Sequence, residues 1–217
     1  MKIVHGNIAV IEGDTHISKW VEESGRLDHD QYALPIILQH IKSGDNVIDA
    51  GAFIGDHTAA YIKAVGPTGQ VYAFEPNPEA FECLKHNCPE ALNFNVGVSD
   101  KYEFVNYSKS DNAGAGRISR SGMDKIQTVP LDTLSIDKLN FLKMDVEGHE
   151  LKALIGAQKM IEKFRPVMWI EINAGALEQN GTCEGEIYSL ILSMNYSIQE
   201  FPEVGAQYDI LCKPNSR

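Results

Sequence analysis

Several features that mark common classes of protein are missing from this sequence. There is no C-x-x-C pair, and the four cysteines, Cys83, Cys88, Cys183 and Cys212, stand apart; this argues against a thiolate metal knot and for small buried thiols. No apolar run approaches the ~20 residues of a membrane-crossing helix. Met1-Lys2-Ile3-Val4-His5-Gly6-Asn7 lacks a basic stretch leading into an apolar core, so a soluble, cytoplasmic protein without membrane contact is expected. Positive charge is scarce: 19 basic residues against 30 acidic ones leave a net charge of −11. A polyanion would be repelled, and nucleic acid is not an expected partner. Also absent is a G-x-G-x-x-G turn, which disfavours a pyrophosphate cradle.

What is present is a pair of short apolar runs, each ending in an acid. Val47-Ile48 stops at Asp49, and Ala50-Gly51-Ala52-Phe53-Ile54-Gly55 then lets the backbone turn before a helix. Val71 to Phe74 ends at Glu75, 75 − 55 = 20 positions beyond Gly55. That is about the offset at which a nucleotide-binding sheet places a carboxylate for a ribose diol. A ligand with an adenosine and no phosphate suits this crevice.

Strand and helix patterns alternate along the chain. Residues 1–28 read as an N-terminal hairpin or cover, and 29–217 as one domain. Helix spacing over 30–42 precedes strand 46–49, helix 56–65, strand 70–74, helix 78–87 and strand 92–98. Strands follow near 102–107, 126–130 and 140–144, then helix 150–164, strand 166–172, helix 186–194 and two last strands near 196–201 and 207–212. This alternation predicts an α/β fold with a mostly parallel sheet, helices on both faces and a ligand beyond the strand ends. Residues 108–122 break the rhythm. They suit a surface loop, or a lid whose Lys109, Arg117 and Arg120 hold an anionic acceptor.

Five motifs together resemble one family. Asp49 to Gly55, Phe74-Glu75-Pro76-Asn77-Pro78, Asn95-Val96-Gly97-Val98-Ser99-Asp100, Leu131-Asp132-Thr133-Leu134 and Leu142-Lys143-Met144-Asp145-Val146-Glu147-Gly148-His149-Glu150 are similar to the FkbM-type methyltransferases. The chain departs from that pattern at Phe53, where the family has Asn. The resemblance implies a Rossmann-like class I methyltransferase fold with a seven-stranded sheet and S-adenosylmethionine as cofactor. It places Asp49 to Gly51 at the methionine end, Glu75 on the ribose and Val98 to Asp100 beside the adenine. The cofactor-binding set is then Asp49, Gly51, Phe53, Gly55, Glu75, Pro76, Val98, Ser99 and Asp145.

Methyl transfer to a hydroxyl depends on alignment and on removal of a proton. Asp145, Glu147 and His149, clustered after one strand, are the candidates for that chemistry, with Asp145 first. Arg117, Arg120, Glu171 and Asn173 are candidate acceptor contacts. Asp145, Glu171 and Asn173 are an oxygen-rich set that suits a hard divalent cation. The expected acceptor is a hydroxyl on a small molecule or glycan. A nicotinamide-dependent oxidoreductase and a non-catalytic binding module on the same kind of sheet are the alternatives.

Overall fold

A computed structural model describes residues 1–110, 112–118, 122–202 and 207–216. The chain opens with an antiparallel hairpin of β1 (Lys2–Val4) and β2 (Ile8–Val10), followed by α1 (Ile17–Ser24) and α2 (Ala33–Ile37). Next come β3 (Asn46–Ala50), α3 (Thr58–Val65), β4 (Gln70–Phe74), α4 (Pro78–Asn87) and β5 (Leu92–Phe94). Four short strands follow: β6 (Gly97–Val98), β7 (Glu103–Ser108), β8 (Arg117–Ile118) and β9 (Asp124–Val129). After them lie β10 (Phe141–Met144), α5 (Glu150–Ile155), α6 (Gln158–Phe164) and β11 (Val167–Asn173). The chain ends with α7 (Ala174–Gln179), α8 (Glu184–Ser193), β12 (Tyr196–Glu200) and β13 (Gln207–Pro214).

Seven strands form the main sheet in the order β12-β13-β11-β10-β3-β4-β5, with β13 antiparallel to both neighbours and every other pairing parallel. The chain leaves β3 toward β4 and β5, and later fills the other side with β10 and β11. The crevice where this order reverses lies between β3 and β10, at the strands' carboxyl ends, which is where open parallel sheets bind ligands.

Strand periodicity divides the core in two. Ile48, Ala50, Leu142, Met144, Met168 and Ile170 point to the face covered by α5, α6 and α8. Val47, Phe141 and Trp169 point to the opposite face with α2, α3 and α4. The register sets Asp49 beside Lys143 and Lys143 beside Trp169, and two residues on, Glu171 opposes Asp209. With a side-chain period of two, one face therefore turns from apolar to polar as its strands reach the crevice.

Four expected elements differ in detail. Residues 17–21 form α1 rather than a hairpin arm, since Ile17 and Val21 are one helical turn apart and Val21 is buried. The 30–42 helix is confined to α2 and a 3-10 turn over Leu38–His40. The strand expected at 92–98 is split between β5 in the main sheet and β6 in a four-stranded sheet of order β6-β9-β7-β8. The helix expected at 150–164 breaks at Gly156, where an added Cβ would lie 1.9 Å from the Ser99 carbonyl oxygen.

The tightest approach at the crevice is Gly51, at φ +84°, where a Cβ would fall 1.7 Å from the Asp145 carbonyl oxygen. Gly51→Ala is expected to lower the unfolding free energy by about 3 kcal/mol, from overpacking against backbone plus a left-handed φ. Urea denaturation of the two forms measures it.

Candidate functional site

A cavity of about 900 Å³ opens over the carboxyl ends of β3, β4, β10 and β11 and extends under α1, the segment before α2 and residues 112–118. It is roomy enough for a nucleoside-sized ligand together with a second small molecule. Its roof is fastened by Asp14, whose carboxylate accepts from Ser18 N at 2.7 Å and Ala113 N at 3.0 Å.

Glu75, one step beyond β4, is buried and lines one half of the cavity. Its Oε2 accepts from Phe53 N at 2.9 Å and its Oε1 from Asn77 N at 2.7 Å. Each oxygen keeps a lone pair for another donor. Burial pushes its pKa up to about 7 against the pull of those two N–H groups. Phe53 has φ +48°, a left-handed conformation that a bulky residue rarely adopts and that Asn tolerates better. The polar contact at this position is its backbone N–H, while the ring is buried with Ile54, Ala80 and Cys83. Phe74, Pro76, Val96 and Val98 supply an apolar wall beside Glu75.

The other half is crowded with carboxyl groups. Lys143 Nζ donates to Asp145 Oδ2 at 3.0 Å and to the Gly51 carbonyl at 3.2 Å, and lies 3.8 Å from Asp49 Oδ1. Burial opposes the Lys143 charge, but the carboxylates of Asp145, Asp49 and Asp56 outweigh it and raise its pKa. Asp145, Glu147 and Glu171 each bring one oxygen within 4.8 Å of the others. Burial, then the charge of Asp145, pushes Glu147 up to about 8, and the same two causes raise Glu171 well above its ordinary range. Asp209 rises to about 6 for the same reasons. Trp169 lines this half too and donates from its indole to Asp209 at 3.0 Å.

Not every residue singled out from the sequence reaches the cavity. Gly51, Phe53, Glu75, Pro76, Val98, Asp145, Glu147, Arg117, Glu171 and Asn173 line it. Asp49 lies beneath, fully buried, accepting from Thr58 Oγ1 at 2.6 Å. Gly55 is a packing position, where a Cβ would meet Cys88 Sγ at 2.6 Å. Ser99 and His149 face each other elsewhere, 2.9 Å apart. Burial depresses the His149 pKa to about 4, so the imidazole expected as a base is enclosed and neutral. Asn173 lines the cavity and caps α7 through Ala176 N at 3.1 Å, and Glu147 joins Asp145 and Glu171 in a converging set of carboxylate oxygens. Lys109 is paired with Glu79 at 3.1 Å, outside the cavity lining. Arg120 falls outside the described residues.

The cavity also has a wall that went unread in the sequence. His29 Nδ1 meets Asp56 at 3.1 Å, and His57 Nε2 meets Asp30 at 3.1 Å. These two crossed pairs stitch the segment before α2 to the turn before α3. The signal was two acid–imidazole dipeptides, His29-Asp30 and Asp56-His57, at matching ends of two loops. Asp209 gave none, because its place depends on antiparallel pairing with β11.

Residues 49–198 match the methyltransferase FkbM domain family. The chain belongs to that family. It is 31% identical over 168 residues to a hexuronic acid methyltransferase, AglP, of Haloferax volcanii, covering 71% of this chain and 68% of that protein. Its fold is similar to that of a FkbM methyltransferase from Methylobacillus flagellatus, with a TM-score of 0.57, 22% identity, and coverage of 79% of this chain and 44% of that one. A TehB-like S-adenosylmethionine-dependent methyltransferase from Corynebacterium glutamicum aligns with a TM-score of 0.53 and 13% identity over 94% of this chain and 98% of that one. The expected class I methyltransferase fold and its family are thereby shown, and the donor is S-adenosylmethionine. The residues fit it: Glu75 has free lone pairs for a ribose diol beside an apolar wall, and Gly51 leaves its turn without a side chain.

A diol donates best to an ionised carboxylate. Glu75 becomes protonated as pH falls through about 7, so donor affinity should weaken below that value and level off above it. Calorimetric titrations from pH 5.5 to 8.5 would show this, and Glu75→Gln should flatten the profile.

Proposed function

We propose that this protein transfers the methyl group of S-adenosylmethionine to an oxygen of a sugar, with oligosaccharides containing hexuronic acid as the first class of acceptor. The observation that carries the reading is the continuity of one cavity, in which Glu75 and its apolar wall adjoin Asp145, Glu147, Glu171, Asp209 and Trp169. Glu147, raised to about 8, and Glu171, raised well above its ordinary range, can both donate and accept hydrogen bonds, and an indole offers a flat apolar edge. A ring with several hydroxyls suits that combination. The substrate of the archaeal relative supports the choice.

Bound donor supplies an electrophilic methyl on a sulfonium. In this reading Glu75 holds the ribose, Pro76 and Val98 flank the adenine, and the Gly51 turn receives the methionine end. Asp145, held by Lys143, orients the acceptor oxygen. Glu147, Glu171, Asn173 and Arg117 position the rest of the acceptor. A divalent cation would be held by Asp145, Glu147 and Glu171, and assays with and without a chelator test for it.

Glu75→Ala should weaken S-adenosylmethionine binding by about 1–3 kcal/mol through lost charge-assisted hydrogen bonds. Asp145→Asn should leave donor affinity within a few-fold and lower turnover of labelled methyl onto uronic-acid and neutral oligosaccharides. Calorimetry with S-adenosylmethionine, S-adenosylhomocysteine and NAD separates the alternatives. Binding of NAD with neither sulfur ligand bound would end this reading.

A further inference from the structure

A sugar offers two kinds of oxygen, a hydroxyl that must lose a proton and, on a uronic acid, a carboxylate that has none to lose. The cavity holds a device that only the first requires. His29 lines it, with a side chain 34% exposed. Its Nδ1 is 3.1 Å from Oδ2 of the buried Asp56, and its Nε2 has no hydrogen-bond partner among the described residues. Trp20 braces the ring edge-on at 6.0 Å between centroids. A carboxylate behind Nδ1 selects the tautomer that leaves Nε2 as an acceptor and stabilises the imidazolium that forms.

Asp145, His57 and His16, which share the cavity, are less suited to the task. Asp145 is tied to the Lys143 ammonium. Both ring nitrogens of His57 are engaged, by Tyr61 and Asp30. The Nδ1 of His16 is bonded to Thr15, and no carboxylate is bonded to its ring.

We infer that His29, oriented by Asp56, is the general base that takes the proton from an acceptor hydroxyl in this site. The inference rests on the methyltransferase reading above and narrows its acceptor atom to an alcohol. As the oxygen–carbon bond forms and the methyl–sulfur bond breaks, sulfur keeps the electron pair. The hydroxyl proton passes to His29 Nε2, and from there to solvent. The charged or titratable groups around the dyad are His57 and Lys143, which both act on Asp56, and Asp28 and Asp30 on the same segment. Helix α1 presents the uncharged Trp20.

The first test needs no acceptor. Nitrogen-15 spectra of the histidine rings should show neutral His29 protonated on Nδ1, with that preference for Nδ1 weakened in Asp56→Asn. A proton found on Nε2 overturns the assignment. The second uses labelled S-adenosylmethionine with methyl β-glucoside and methyl β-glucuronide. His29→Ala and His29→Gln should each lower kcat by about 100-fold or more with donor affinity unchanged, and Asp56→Asn should shift the kcat profile to lower pH. Turnover within threefold of wild type in both His29 variants overturns the base, as does a product that is an alkali-labile ester. If neither glycoside is methylated, the ring spectra decide alone. Failure of the wild type to bind S-adenosylmethionine counts instead against the methyltransferase reading.

Discussion

The buried ammonium of Lys143 holds the centre of this structure together. It comes from β10 and reaches Asp145 beyond its own strand, Asp49 on β3 and the carbonyl of Gly51 in the turn after β3. Two neighbouring parallel strands would otherwise bring their terminal acids together without a counter-charge. An unpaired buried carboxylate costs several kcal/mol, and a pair without its cation costs more. The lysine brings the same sign of charge that a helix N-terminus brings to phosphate-binding sheets, but here the chain's own carboxylates neutralise it. It also fixes the distance between the turn after β3 and the acid-rich half of the cavity.

The turn itself is held by strain balanced against a hydrogen bond. Phe53 and Glu147 both have left-handed backbones, each three residues past a strand end that faces the cavity. A non-glycine residue in that region costs about 1–2 kcal/mol. At Phe53 the ring is sunk among Ile54, Ala80 and Cys83 while its N–H is given to Glu75. Burial of an aromatic side chain contributes enough to offset the strain, so Phe can occupy a position that Asn fills in the family pattern. The same bond orients Glu75, so the turn after β3 and the carboxylate after β4 are set by one contact.

How much of this could be read in advance follows from the range of the interactions. The central strands were legible because Val47-Ile48, Val71 to Phe74 and Leu142 to Met144 are short apolar runs ended by polar residues, and α4 was legible because Asn77-Pro78 caps it. Lys143 stands two residues before Asp145, so strand parity alone sets both on one side. What failed to show was whatever depends on pairing across the sheet or between loops. Asp49 reads as a ligand contact from its motif, while in the fold it lies below the cavity floor, bonded to Thr58, the first residue of α3. His149 reads as a candidate base, yet it is buried against Ser99 from a distant strand end. Asp209 enters the site only through β13, whose antiparallel course no local pattern announces. His29 and Asp30 matter because of two residues in a different loop.

The crowding of acids has a consequence for the fold as a whole. Glu75, Glu147, Glu171 and Asp209 all have raised pKa values, chiefly from burial. An acid that is harder to ionise when folded leaves stability untouched below its ordinary value of 4.5 and lowers it as pH rises toward the folded value, about 8 for Glu147. Asp30 and Asp56 act in the opposite sense, because their histidine partners depress both despite burial. Lys143 stays charged throughout that range and so limits the loss. The site is therefore a place where the chain gives up stability on the alkaline side, set against a rim of histidine–aspartate pairs that stabilise it. Groups tuned in opposite directions within one cavity are the pattern of a proton-moving site, and here the second set also stitches the segment before α2 to the turn before α3.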